Sequence, residues 1–184
     1  YYLTNQSGSW TSSHILTGFH YGLTVDEQGY AHVSYLDEYI CGDLYYATNI
    51  SGSWTSSLID QSAEDFFTLG GTDIKLDTDG FVHIAFTFMY PYNFYWSGLP
   101  TSFRFDTAGI LRHVTNKTGT WVIDNIAPWI MTGYDNYSIG MDSLGNAHIA
   151  FTTFFLSSVT GYLGYGSDKS GSWTADIVGR ERGE

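Results

Sequence analysis

Cysteine is almost missing from this chain of 184 residues: Cys41 stands alone, so no disulfide can form within it. Proline is scarce, at three residues, and seven Lys and Arg face nineteen Asp and Glu, for a net charge of −12. Nucleic-acid binding rests on rows of cations that neutralise phosphates, and the sequence has no such row. The same shortage argues against docking to an anionic membrane surface. No run of eighteen apolar residues is present to span a bilayer. Long stretches rich in Ala, Leu, Glu and Lys, the material of helices, are few.

Glycine and aromatic residues fill the space: 21 Gly, 15 Tyr, 12 Phe and 6 Trp. With 43% hydrophobic residues the chain has enough apolar material for one folded domain. Short strands and tight turns suit this composition.

A repeat in two alternating halves runs the whole length. One half reads YYLTNQSGSW at 1–10, LYYATNISGSW at 44–54, LRHVTNKTGTW at 111–121 and LGYGSDKSGSW at 163–173. The other reads LTVDEQGYAHVSY at 23–35, IKLDTDGFVHIAF at 74–86 and IGMDSLGNAHIAF at 139–151. In the second half, Leu23 and Val25 alternate, Asp26 to Gly29 forms a turn, and Ala31, Val33 and Tyr35 alternate after it. Period-two alternation broken by Asp-x-x-Gly predicts a β-hairpin, strands a and b. The first half predicts a second hairpin, strands c and d, with Asn49 and Gly52 at its turn. Trp10, Trp54, Trp121 and Trp173 are spaced by 44, 67 and 52 residues. The shortest spacing matches a four-stranded propeller blade of about 40–50 residues, and the longer ones imply loop insertions.

The expected fold is therefore an all-β propeller of four-stranded antiparallel blades. An all-β solenoid or a sandwich of hairpins is the alternative. The blades fall at 1–17 (strands c and d only), 19–60, 72–126 and 137–178, with 179–184 as a charged tail or linker. About three and a half blades leave open edges. Either the chain belongs to a larger propeller or copies associate to complete the ring.

The pattern ATN-x-SGSW…D-x-x-G-x-x-H-[IV]-x-[YF] resembles the tandem blades of secreted and surface-exposed bacterial and archaeal β-propeller proteins. These are loosely similar to sialidase-like propellers of the Asp-box type. The resemblance covers nearly the whole chain and implies an extracellular or cell-surface location. The Asp-box itself, S-x-D-x-G-x-x-W, is not matched.

Residues present in every blade read as scaffold. His32, His83 and His148 share one position on strand b. They are expected to pack between blades with their nitrogens bonded to backbone, because equivalent positions diverge around an axis and cannot converge on one metal ion. Asp26, Asp77 and Asp142 cap their own turns. Asp77-Thr78-Asp79-Gly80 comes nearest to a calcium loop but lacks a following acidic ligand, so no cofactor is expected. Asn5, Asn49, Asn116 and Asn136 head N-x-[S/T] sequons and are candidate glycosylation positions. An asparagine that starts a turn explains the same residues.

The length variation falls on b–c loops (36–43, 88–110, 153–162) and d–a loops (61–71, 127–136), which propeller topology places on one face. Function concentrates on variable loops held by a rigid scaffold. That face carries the candidate ligand-binding residues Tyr90, Tyr92, Tyr95, Trp96, Trp129, Tyr134, Asp37 and Asp135. Rings beside carboxylates suit sugars, which offer an apolar face and a hydroxyl rim, and suit a protein partner equally.

The expected function is an extracellular or cell-surface binding or adhesion module, directed to a glycan or protein ligand. The alternative is a structural subunit of an extracellular assembly or filament. A sialidase-like hydrolase ranks below both. Its arginine cluster is missing: of four arginines, Arg104 alone lies on the loop face. With no nucleophile motif and no singled-out carboxylate pair, no enzymatic activity is expected.

Overall fold

The computed structural model describes residues 1–15, 17–37, 42–61, 71–91, 107–130, 137–154 and 161–180. All regular structure among them is extended. Strands β1 (Tyr2–Thr4) and β2 (Thr11–Ser13) form an isolated hairpin. Sheet I contains β3 (Phe19–Val25), β4 (Ala31–Leu36), β5 (Leu44–Thr48) and β6 (Thr55–Asp60). Sheet II contains β7 (Thr72–Leu76), β8 (Val82–Pro91), β9 (Thr107–Thr115) and β10 (Val122–Ile130). Sheet III contains β11 (Tyr137–Met141), β12 (Ala147–Phe154), β13 (Gly161–Ser167) and β14 (Thr174–Arg180). Each sheet is an antiparallel meander, its strands paired in chain order.

The turns form as the local sequence dictates. Asp26 Oδ1 accepts from the amides of Gln28 (3.0 Å) and Tyr30 (2.7 Å), while Gly29 takes φ +88°. Asp77 and Asp142 repeat this geometry. The other turn is tied across strands. Asn49 Oδ1 accepts from Ala31 N at 2.8 Å, Asn116 Oδ1 from Val82 N at 2.8 Å, and Asp168 Oδ1 from Ala147 N at 2.8 Å. One side chain in each sheet therefore clamps the start of the second strand to the turn after the third. The half-buried sequon residues Asn49 and Asn116 have their side chains committed to this clamp.

The core lies between sheets. Leu36 and Leu44 of sheet I meet Ile74, Val82, Ile84, Phe86 and Val114 of sheet II. Ala85 and Leu111 on the opposite face of sheet II meet Ile139, Ala147, Ile149 and Phe151 of sheet III. Burial on both faces accounts for the aromatic and aliphatic richness of the strands. A tryptophan pegs each junction. Trp54 packs edge-on against Tyr2 at 5.2 Å, Trp121 against Tyr46 at 5.4 Å, and Trp173 against His113 at 4.9 Å. Trp121 and Trp173 each reach the third strand of the preceding sheet, and Trp54 reaches β1 of the hairpin.

The first strands of the sheets lie side by side, β3 against β7 and β7 against β11. Their approach is close. A Cβ on Gly22 would come within 2.7 Å of Ser34 Oγ and 2.8 Å of Thr72 O, so only glycine fits at this crossing. The series of sheets stays open and does not curl into a closed ring. The observed architecture is thus all-β, built of antiparallel four-stranded sheets.

Several stretches expected as loops are paired strand instead. Phe88 to Pro91 pair with Ile110 to Thr107, and Ala127 to Ile130 pair with Leu111 to Gly109 through two register shifts. Continuing the ladder satisfies backbone groups that a loop would have to leave to solvent.

Candidate functional site

The end of the sheets that carries the short turns holds a chain of polar groups repeated three times. His32 Nε2 lies 3.4 Å from Asp26 Oδ2 and its Nδ1 lies 2.6 Å from Tyr46 Oη. In sheet III, His148 sits 3.3 Å from Asp142 Oδ2 and 2.5 Å from Tyr165 Oη. A proton on Nε2 directed to the carboxylate leaves Nδ1 to accept from the phenol. In sheet II a histidine replaces the tyrosine: His83 Nε2 lies 3.4 Å from Asp77 Oδ2, and His83 Nδ1 lies 2.9 Å from His113 Nε2. The histidine nitrogens bond to side chains, not to backbone as the sequence suggested. The reason is register: the turn aspartate and the third-strand residue both flank the histidine on one face.

Burial governs the electrostatics here. Burial depresses His83, with Asp77 opposing, and pulls His113 down to about 3, with the charge of His83 adding to the effect. Burial works against the Asp77 carboxylate, yet hydrogen bonds from Phe81 N, His83 and Asp79 N outweigh it and hold its pKa below the usual range. Lys117 Nζ adds a contact 3.6 Å from Asp77 Oδ2 and donates to Gly145 O at 3.1 Å, joining sheets II and III. His83 and His113 are each only 1% exposed, so a polymer cannot touch this pair. In sheet II the relay is scaffold.

The opposite end is chemically mixed. Tyr35 and Tyr45 are register partners on β4 and β5, and their rings stack at 5.4 Å. Tyr21, more than half exposed, continues the stack at 6.2 Å from Tyr35. Burial raises the Tyr45 phenol, and the neighbouring carboxylates Asp37 and Asp43 push it the same way, so it stays a proton donor. Asp37 Oδ1 accepts from Asp43 N at 2.8 Å, which closes the turn beside that ring. At the seam with sheet II, Arg112 Nη1 donates to Asp60 Oδ2 at 2.9 Å and Arg112 Nε donates to Asn125 Oδ1 at 3.1 Å. Burial raises the Asp60 carboxyl even though Arg112 opposes it.

Strand β3 is bent at this end by a register shift between Phe19 and Gly22, and His20 sits there at φ +55°. Among the described residues it is the only non-glycine in the left-handed region. Thr72 Oγ1 donates to His20 O at 3.1 Å and lies 2.7 Å from Ser34 Oγ, which holds the strained backbone against sheet II.

Of the candidate ligand residues, Asp37 is half-buried beside Tyr45, where its charge bears on the phenol. Tyr90 and Trp129 lie in the backbone ladders of β8 and β10. Tyr92, Tyr95, Trp96, Tyr134 and Asp135 lie outside the described residues, as does Asn136. Sequence reasoning missed the tyrosine stack and the Asp60–Arg112 pair. Tyr35 and Tyr45 were legible as partners once the hairpin register was drawn. Asp60 and Arg112 sit 52 positions apart and meet only when two sheets pack.

No protein-family model and no curated protein matches the sequence. Solved structures do match in fold. One is a polysaccharide lyase of family PL25, an ulvan lyase, bound to -[GlcA(1-4)Rha3S]-, with a TM-score of 0.64 at 11% identity over 92% of this chain and 46% of that one. A second structure of PL25 ulvan lyase gives a TM-score of 0.63 at 11% identity, with the same coverage. The chain thus spans about half the length of these lyases. Both of these structures are of enzymes, so the expectation of a chain without enzymatic activity, which rested on a missing motif, is withdrawn. A missing linear motif does not exclude an activity, because packed sheets can bring side chains together from distant strands with no short spacing to record them.

Proposed function

We propose that this chain is a glycan-binding part of a β-propeller polysaccharide-cleaving protein. The polymer would lie across the end of the sheets that carries Tyr21, Tyr45, Asp37 and the Asp60–Arg112 pair. The fold likeness to polysaccharide lyases over 92% of the chain carries the reading. The surface chemistry supports it. Tyrosine faces stack on the apolar side of sugar rings, while carboxylates and amides accept and donate to hydroxyls. The guanidinium of Arg112, held by Asp60 and Asn125, is of the type that binds the carboxylate of a uronic-acid unit, which would have to compete with those partners.

Eliminative cleavage of a uronate needs a neutralised carboxylate, a base for the proton next to it and an acid for the leaving oxygen. The loop end holds phenols and a guanidinium of those types. A polymeric glycan substrate would put the work outside the cell. The side-by-side first strands β3, β7 and β11 support a propeller, with sheets arranged around them as blades.

The test is to run the protein through native gels that contain ulvan, other uronate polysaccharides or neutral glucans. In parallel, the ultraviolet absorbance of unsaturated sugar products is followed. Retardation together with rising absorbance on a uronate polymer supports the proposal. A mobility unchanged by every polysaccharide sinks it.

A further inference from the structure

The same strand position is buried in two sheets and bare in the third. Leu23, Ile74 and Ile139 occupy equivalent places on β3, β7 and β11, yet Leu23 is 53% exposed while Ile74 is 0% and Ile139 is 2%. Ile74 is covered because sheet I lies in front of it, and Ile139 because sheet II does. Among the described residues, only the β1–β2 hairpin stands in front of β3, and it carries the third- and fourth-strand pattern of the repeat. Tyr2 of the hairpin packs against Trp54, and Ile15 just after it joins Val33, Tyr35 and Ala47, while Tyr21, Leu23 and Val25 on β3 stay more than half exposed.

The hairpin itself is half a sheet. In sheets I, II and III the third strand is paired on both sides, whereas among the described residues β1 pairs only β2. Asn5 stands where Asn49, Asn116 and Asp168 clamp the first residue of a second strand, and among the described residues it clamps none. An apolar cleft bounded by Tyr1, Tyr2, Tyr21, Leu23 and Val33 lies here, and strands of the preceding sheet fill the equivalent space before sheets II and III.

We propose that the free edge of β1 and the bare row on β3 together form the docking site of a two-stranded hairpin of the chain's own repeat type. That hairpin reads apolar-x-apolar, an Asp-x-x-Gly turn, then x-x-His-[Val/Ile]. It is carried by another polypeptide segment. Its second strand adds to β1 by main-chain hydrogen bonds, with Asn5 clamping its first residue, and its first strand lies over Leu23 and Val25. This completes four strands and removes an exposed edge. The inference rests on strand packing and is independent of the glycan reading.

The experiment adds a fluorophore-labelled peptide of residues 71–87 to the whole protein. Anisotropy reads binding, and hydrogen exchange reads protection of Tyr2–Thr4 and β3. The expected result is saturable binding that a scrambled peptide does not show, with new protection at β1. Leu23→Asp should weaken it about tenfold or more, since a carboxylate would be buried among apolar groups. Leu23 is half exposed, so this variant folds; Asn5→Ala, on the surface, should weaken binding several-fold for loss of the clamp. Binding that is absent, or that neither substitution alters, overturns the proposal. So does a stable dimer of the protein alone in which Leu23→Asp restores the monomer, because a second copy would then be the occupant.

Discussion

His83 and His113 face each other 2.9 Å apart, at the place where the sheets on either side set a tyrosine hydroxyl against the histidine. With His83 Nε2 donating to Asp77, His83 accepts through Nδ1 and His113 donates through Nε2. The Nδ1 atom of His113 is left buried without a hydrogen-bond partner among the described residues. Burial keeps both rings from taking a proton.

Stability should therefore depend on pH. Both histidines have folded pKa values below the unfolded value of about 6.5. Below that pH the unfolded chain binds more protons than the folded one, so stability is fully present above it and drains away as pH falls. For His113 the window runs from about 6.5 down to about 3. The slope is up to about 1.4 kcal/mol per pH unit for each histidine. Urea unfolding at stepped pH checks this, and a flat profile between pH ~6.5 and ~4.5 would count against it.

His113→Tyr should fold and flatten that limb. Tyr46 shows that a phenol fits against both the histidine and the tryptophan of the next sheet, at 2.6 Å and 5.4 Å. Comparing the two pH profiles separates the contribution of His113 from that of His83.

Asp77→Ala should cost about 3 kcal/mol, because Asp79 N, Phe81 N and His83 Nε2 lose a buried acceptor together. Asp142→Ala removes the same bonds at a more exposed turn and should cost less. Denaturant midpoints of the two variants decide the order.

Gly22→Ala should destabilise by about 1–3 kcal/mol, since its methyl would press on Ser34 Oγ and on backbone at Thr72. Gly140→Ala is the control on the equivalent side of β11, where nothing lies within 4 Å of the added carbon. Equal melting temperatures for the two variants would refute the close approach of β3 and β7.

Tyr45→Ala and Tyr21→Ala should weaken retention by a bound polysaccharide while leaving the fold intact, because Tyr21 is largely exposed and Tyr45 is half-buried. Loss of a stacking face is worth about 1 kcal/mol, or several-fold in affinity. Gel retardation against the unsubstituted protein measures it.

The sequence by itself determined the hairpins. Alternation of Leu23 with Val25 and of Val33 with Tyr35, broken at Asp26 and Gly29, is local chemistry: side chains alternate across a pleat, aspartate closes its own turn and glycine takes positive φ. The all-β architecture and the shared position of His32, His83 and His148 follow from the same repeat. Tertiary structure decided what the repeats do with one another. Identical positions become core or surface according to whether a sheet stands in front of them, as Leu23 and Ile74 show. It also decided that histidine nitrogens meet side chains, that Trp129 belongs to a strand, and that Arg112 reaches Asp60 across a seam. These depend on contacts between residues far apart in the chain, and local pattern holds no record of such distances.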